Sequence, residues 1–445
     1  MFRTFFDAMR IKEIRQKLLY TFVMLIIVRL GSNLPIPGIN TDYFREMFDS
    51  LRESAAGGAL SFFSAMTGGS FEQMSILALS ISPYITSSII IELMTIAIPR
   101  LEELQKEGEE GRKKMTVYTR YLTVALALIE SAAMAIGFGS QGLLKYYGVK
   151  NIVVTIAVMT AGSAFLMWIG EKITNKGVGN GISVVLLINI VSAVPNDLVT
   201  LWTRFASGQP IAQKIIAVAI IAICIILMFA YVVLLTSAKR KIPVQYSGKV
   251  SGKKYGGADS SSIPLKVNTA GVIPVIFASS IMSFPVVIAQ FVVGTYGTVE
   301  GVPGTILSIL NSSNWFNASN PVASVGVLIY VVLIVLFAYF YTSITFNPLE
   351  IANNLKKSGG FIPGIRPGRP TSDYLQKVLN YIIFIGAIGL IVVAMVPLIV
   401  SGVFSISSLS FAGTSLIIIV GVIIETMKSI ESQMMVRNYK GFLSE

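Results

Sequence analysis

The side chains that usually carry chemistry are scarce in this sequence. It holds no histidine and one cysteine, Cys224, set in the apolar run IIAICIILMF. Imidazole-based metal sites, catalytic triads and proton relays are therefore excluded, and no disulfide can form within the chain. A lone thiol in such a run is ordinarily inert packing. Neither a G-x-x-x-x-G-K-[ST] phosphate loop nor an H-E-x-x-H pair is present. Serine–lysine chemistry would want a lysine inside an apolar stretch, and none lies there. The chain reads as a non-enzyme, with no cofactor and no metal. Any energy must come from a partner or an ion gradient. Three carboxylates fall in apolar stretches: Glu92, Glu130 and Glu425. Glu92 and Glu425 lie near stretch ends, where water reaches. Glu130, in LALIESAAM, is deeper, and an acid at membrane depth is a functional candidate. One deep acid without a partner is thin material for a proton-coupled pump. A hydrogen-bonded structural role stays open.

What must position these groups is a membrane fold. Of 445 residues, 53% are hydrophobic and only 13% charged. A soluble chain of this length needs more polar surface, so lipid must solvate much of this one. A membrane-spanning helix takes about 20 mostly apolar residues. Ten stretches qualify, at roughly 18–36, 74–98, 117–138, 152–170, 181–195, 215–236, 269–293, 323–345, 378–400 and 409–427. Pro83, Pro274, Pro285 and Gly181 interrupt several, which is tolerated where neighbouring helices or water satisfy the freed backbone. Lysine and arginine crowd the loops at 99–116, 237–268 and 346–377, and none lies in 294–322 or 401–408. The basic loops mark the cytoplasmic side, so most of the net charge of +12 is a topology signal. An even number of spans leaves both termini in the cytoplasm. Residues 1–17, with Arg3, Arg10, Lys12, Arg15 and Lys17, are expected to form an amphipathic helix on that surface, and 428–445 a cytoplasmic tail.

The spans divide into two groups of five, 18–204 and 205–427. Five is odd, so the second half crosses in the opposite sense, the arithmetic of an inverted repeat. Two cytoplasmic loops, 237–268 and 346–377, are long, polar and glycine-rich. They are flexible connectors or docking surfaces, and their length favours docking. Residues 57–72, GGALSFFSAMTGGSFE, are apolar enough to enter a membrane and too short to cross it. Composition leaves two readings open: an outer turn over the bundle, or a re-entrant plug in a pore.

Six runs then narrow the reading. They are LPIPGI (34–39), SISPYITSSIIIELM (80–94), GVGNGIS (177–183), PLKVNTAGVIPVIFASSI (264–281), GFIPGIRPGRPT (360–371) and GTSLIIIVGVI (413–423). In this order and spacing they resemble the SecY family of protein-translocation channels, over essentially the whole chain. The resemblance implies an all-α polytopic membrane protein in which ten transmembrane helices form two inverted halves around an hourglass pore with a re-entrant plug.

By that resemblance the waist would be a ring of Ile81, Ile85, Leu186, Ile190, Ile276 and Ile418, with leucine where the family usually has isoleucine. Pattern alone does not single these residues out. An apolar collar can grip a passing chain without binding it and exclude ions by dewetting. The plug would be about 60–72, including Phe62, Phe63 and Met66. A lateral gate would open between the second and third spans and the seventh and eighth, with Glu130 and Asn268 at polar gate positions, where a hydrogen bond between gate helices could hold it shut. Lys239, Arg240, Lys241 and Arg366 would dock the SecA motor ATPase or the ribosome. SecE and SecG would be subunits, secretory preproteins and nascent membrane proteins the cargo, and a bacterial cytoplasmic membrane with its lipids the setting. Two other readings are weighed: an accessory paralogue with few substrates, and an ion-coupled solute transporter. The second would want a polar midplane site, and the spans offer a polar-poor one.

Overall fold

The structure is a computed structural model that describes residues 7–53, 64, 66–139, 142–205, 211–246, 262–293, 302–311, 315, 321–404 and 413–441. The chain folds as helices: α1 (Lys12–Ser32), α2 (Thr41–Glu53), α3 (Ser82–Ala97), α4 (Pro99–Lys106), α5 (Glu109–Gly137), α6 (Val149–Lys176), α7 (Gly181–Phe205) and α8 (Ile211–Ser237) form the first part. Strands β1 (Lys239–Pro243), β2 (Gln245–Tyr246) and β3 (Ser262–Lys266) follow. Then come α9 (Ile273–Val293), α10 (Val302–Leu310), α11 (Val325–Thr345), α12 (Pro348–Lys357), β4 (Gly360–Phe361), α13 (Arg369–Phe404) and α14 (Gly413–Gly441).

Each apolar stretch read from the sequence falls on a helix: α1, α3, α5, α6, α7, α8, α9, α11, α13 and α14 in order. By length and composition alone, 6 segments among the described residues are long and apolar enough to cross a membrane, or up to 7 with one bent pair. That pair is Ser82–Thr95 and Pro99–Gln105, bent by 106°. The cause is local. Proline forces the preceding residue out of helical geometry, and Ile98 is extended at φ −116° and ψ 107°. The second stretch, expected from residue 74, becomes helix only at Ser82, with Pro83 in the first turn. Residues 74–81 are turns instead, with Met74 and Ser80 in left-handed conformations at φ 42° and 52°. The amphipathic segment and the first span share one helix from Lys12 onward. Its start packs on the end of α14: Ala8, Ile14, Val178 and Ile430 form a buried cluster, and Lys17 donates to Gln433 at 3.0 Å.

The two halves are packed alike. In the first, α1 lies against α6 and α7, while α3 meets α5, α5 meets α6, and α6 meets α7. In the second, α8 lies against α13 and α14, while α9 meets α11, α11 meets α13, and α13 meets α14. The first helix of each half thus touches the fourth and fifth, and the second to fifth follow in series. The halves meet along two seams. On one, α5 touches α9; on the other, α7 touches α8 and α14, and α14 touches α1.

Small residues permit the close approaches. A Cβ added at Gly162 on α6 would lie 1.9 Å from the Ile76 carbonyl oxygen. Gly162→Ala should therefore force α6 off the 74–81 turns, at a cost of about 1–3 kcal/mol. The melting temperature of the detergent-solubilised protein should fall, while Gly148→Ala, with nothing within 4 Å of the added carbon, should leave it in place. Equal melting of both variants would refute the contact.

Candidate functional site: an apolar waist and its outer cover

The residues expected in the ring lie in two adjoining apolar clusters. Ile190 on α7, Ile276 at the start of α9 and Ile418 on α14 lie in one buried cluster with Val184, Ile419 and Val422. Ile81, at the cap of α3, and Leu186 on α7 belong to a neighbouring buried cluster that includes Met66. Ile85, one turn into α3, packs against both clusters and joins them. Leu186 and Ile190 share a face of α7 because they are four residues apart. Each half supplies two of the helices, and the buried polar pair Asn189 and Ser80 adjoins these apolar clusters. Contact among the apolar side chains is held by non-directional packing.

Beside the waist runs a non-helical cover. Residues 74, 75 and 77–81 are buried, and several of the run's backbone groups pair locally or with the 33–36 segment: Ile36 donates to Met74 at 3.1 Å and Ile76 to Leu34 at 2.8 Å. Side chains from three helices reach the cover. Arg29 of α1 donates to the Gly68 carbonyl at 3.0 Å. Ser163 of α6 donates to the Ser80 carbonyl at 3.2 Å. From α7, Asn189 donates to Ser80 Oγ at 3.0 Å and to the Met66 carbonyl at 3.4 Å, while the Ser192 hydroxyl donates to the Asn189 carbonyl at 2.7 Å and lies 3.4 Å from the Gly68 carbonyl. On its outer side Phe71 packs edge-on against Phe44 and Phe48 of amphipathic α2, with ring centroids 5.6 Å apart in each pair. Met66, expected in the plug, is buried beside Ile81 and Leu186. Phe62 and Phe63 lie outside the described residues.

The two polar gate candidates are not joined. Asn268 is buried in the bend before α9, where its backbone passes close to Gly386 of α13. Glu130 lies two turns from the far end of α5. No hydrogen bond links them. Along that seam α5 touches α9, and Ile89 of α3 packs against the buried cluster that holds Phe277 of α9 and Phe337 of α11.

On the basic side, the two long loops form one platform. β1 pairs with β3 in antiparallel register, Lys239 opposite Lys266, and β2 pairs with β4, Gln245 opposite Phe361. Ile242, Val244, Leu265, Leu355, Ile362 and Leu375 form a small core beneath. Lys239, Arg240, Lys241 and Arg366 are all exposed on it. The Arg366 turn is pinned by Thr371, whose hydroxyl donates to the Arg366 carbonyl at 2.8 Å. Lys428, just past the last apolar stretch, is pushed below the ordinary lysine pKa, first by lost hydration and then by the like charges of Lys266 and Lys239.

Sequence reasoning passed over Asn189, Ser192, Ser80 and Arg29. The available signal was an asparagine and a serine inside the apolar run LLINIVS, since a polar residue at membrane depth needs a partner.

Comparison with known proteins agrees with this architecture. A family model described as SecY matches residues 75–427. The chain is 41% identical to the protein translocase subunit SecY of Streptomyces lividans, and 40% identical to those of Halalkalibacterium halodurans and Mycobacterium tuberculosis, covering 100% of both partners in each case. Among solved structures it is similar to one described as "The structure of a protein conducting channel", with TM-score 0.60 and 17% identity over 95% of this chain and 93% of that one. It is also similar to Sec61 in a canine ribosome-channel complex, with TM-score 0.59 and 17% identity over 95% and 93%. At these identities the solved structures speak for the fold. Together with the apolar helices, the relatives make this a multi-pass membrane protein.

The packing of the waist is open to direct test. Ile190→Ala and Ile418→Ala should each cost roughly 2–5 kcal/mol by leaving a cavity. Because both side chains lie in one cluster, the double variant should lose less than the sum. Thermal unfolding in detergent measures all three, and full additivity would mean that the two residues do not meet.

Proposed function

The chain belongs to the SecY family, and from that premise we propose that it is the protein-conducting subunit of a translocase in a bacterial cytoplasmic membrane, with both termini in the cytoplasm. The observation that carries this reading is the buried apolar junction of Ile85, Leu186, Ile190, Ile276 and Ile418, drawn from both halves of the bundle. A closed junction of this kind excludes water and ions at rest by dewetting. An unfolded chain entering from the cytoplasm would part the four helices and be gripped by isoleucine and leucine side chains, which recognise no particular sequence. Ile81 and Met66 extend the same apolar lining toward the cover.

The seam where α5 touches α9 is the natural lateral exit, because it joins the halves on the side away from the α7–α8 connection. An apolar signal helix entering there replaces helix contacts with contacts of the same kind, so the exchange costs little. Glu130 and Asn268 would each face the opening gate separately. The platform with Lys239, Arg240, Lys241 and Arg366 would receive SecA or the ribosome. SecE and SecG would brace the bundle. The chain itself performs no covalent chemistry, and the motor supplies the energy.

Two experiments test this. A photo-crosslinking residue at Ile276, which is 8% exposed, should label a secretory precursor stalled midway through SecA-driven export, while one at Val332, 53% exposed on α11, should not. Labelling at neither site, with secretion intact after the chain is depleted, would sink the channel reading. Arg366→Ala should lower ATP-driven export at least about tenfold, as expected of an interface arginine, without moving the melting temperature. Undiminished export would remove Arg366 from the docking surface.

A further inference from the structure

The turn between α5 and α6 is firmly held, yet it projects apolar side chains. The Asn40 N–H donates to the Leu143 carbonyl at 2.8 Å, the Lys145 N–H to the Gly38 carbonyl at 3.1 Å, and Asn151 Nδ2 to the Tyr146 carbonyl at 2.7 Å. Tyr146 is nevertheless 80% exposed, Tyr147 56% and Val149 79%. Lys145 and Lys150 flank them, both exposed, and no carboxylate pairs with either ammonium among the described residues. On the channel reading this turn lies on the outer side, where the segments 294–322 and 401–408 carry no lysine or arginine. Two unpaired lysines there run against the charge bias that orients membrane proteins, and tyrosine at the end of a span is the pattern of an interfacial anchor.

Beneath the turn a cleft of about 460 Å³ runs between α5 and α6. Val124 and Leu128 line it from α5, and Val153, Ala161 and Ala164 from α6. The one polar side chain in its lining, Thr160, already shares a hydrogen bond with Ser131 at 3.0 Å. From Val153 to Ala164 the helix rises about 17 Å. That is close to half of a hydrocarbon core about 30 Å thick, so the cleft is one leaflet deep. Lys150 precedes Val153 by three residues on the same face of α6, at the outer mouth of the cleft. We propose that this cleft holds an acyl chain of an anionic phospholipid of the outer leaflet, with its phosphate bound by Lys145 and Lys150 beside Tyr146 and Tyr147. The placement in the outer leaflet rests on the channel reading. A helix of another subunit would cross the whole membrane rather than one leaflet, and it would leave both ammonium groups without a counter-charge. A phosphodiester supplies that charge, and the lysine stems can lie along apolar surface while their heads reach it. The lipid would sit behind α5, the helix that meets α9 at the exit seam.

The test uses the complete translocase, reconstituted into phosphatidylcholine vesicles with a small share of phosphatidylglycerol bearing a photoreactive acyl chain. Wild-type protein should be labelled on the α5 and α6 peptides that contain Leu128 and Ala161. Lys145→Gln combined with Lys150→Gln should lower that labelling at least about tenfold, as loss of charge-assisted bonds does. Ala161→Phe, which fills the cleft from its exposed side, should lower it as well, while Lys176→Gln at the far end of α6 should not. Equal labelling of wild-type and double-glutamine protein would overturn the phosphate site. So would a photo-crosslinking residue at Leu128 that captures a protein subunit in place of lipid. Neither result touches the channel reading, whose readout is export. The side of the membrane is checked separately: an impermeant amine reagent added to spheroplasts should modify Lys150. Modification only after the membrane is broken would overturn the topology of the channel reading, and the outer-leaflet site with it.

Discussion

A buried peptide group seeks a hydrogen bond from protein, and in the turns from Met74 to Ile81 many backbone groups find one without a helix. The solution uses neighbours. Ile36 and Leu34 pair with Met74 and Ile76, consecutive turns pair within the segment, and Ser163 and Asn189 cover Ser80. Gly162 lets α6 come close enough to enclose the run. Because the chain is turning here, Ile81 is delivered to the cap of α3 and Ile85 one turn deeper, both facing the waist. Had α3 begun at residue 74, the helix would rise through the space that the cover occupies.

Two kinds of force then divide the work. The waist is closed by apolar contact, which is summed over many atoms and insensitive to small displacements. The cover is fixed by a few hydrogen bonds, each contributing only about 0.5–1.5 kcal/mol net and each lost over a fraction of an ångström. The first kind yields gradually and the second abruptly. A bundle with both can remain sealed under thermal motion and still open in one step when a helix is displaced.

How much of this was legible in the sequence depends on which signal each feature leaves. Helices leave a strong one: apolar runs of sufficient length marked every one of α1, α3, α5–α9, α11, α13 and α14. Hydropathy is blind to φ, which is why the buried turns at 74–81 read as the start of a span. Isoleucine at the waist is chemically the same as isoleucine facing lipid, so Ile190 and Ile418 emerged only through resemblance to a family. The gate roles of Glu130 and Asn268 likewise came only from motif matching; Asn268 precedes α9, with its backbone near Gly386 of α13, and no hydrogen bond joins the two. Asn189 left a plain signal of its own, a carboxamide in the middle of LLINIV, but its partners on residues 66 and 80 are more than a hundred positions away.

The cytoplasmic platform shows the same economy from the other side. Its charged loops read from sequence as flexible connectors or, favoured by their length, docking surfaces, and β2 and β4 stitch them into one body over a small apolar core. Rigidity there has an electrostatic cost. Like charges directly opposite on paired strands repel, and Lys239 faces Lys266 across the β1–β3 ladder with Lys428 close enough to lose part of its proton affinity. A fold selected only for its own stability would relax that crowding with a single neutral side chain. Glu425 and Glu431 act on Lys428 in the opposite sense, and an acidic partner surface would offset the lysine repulsion further. On the channel reading, the motor or ribosome that presses on this face is therefore favoured by the same repulsion that the free protein tolerates.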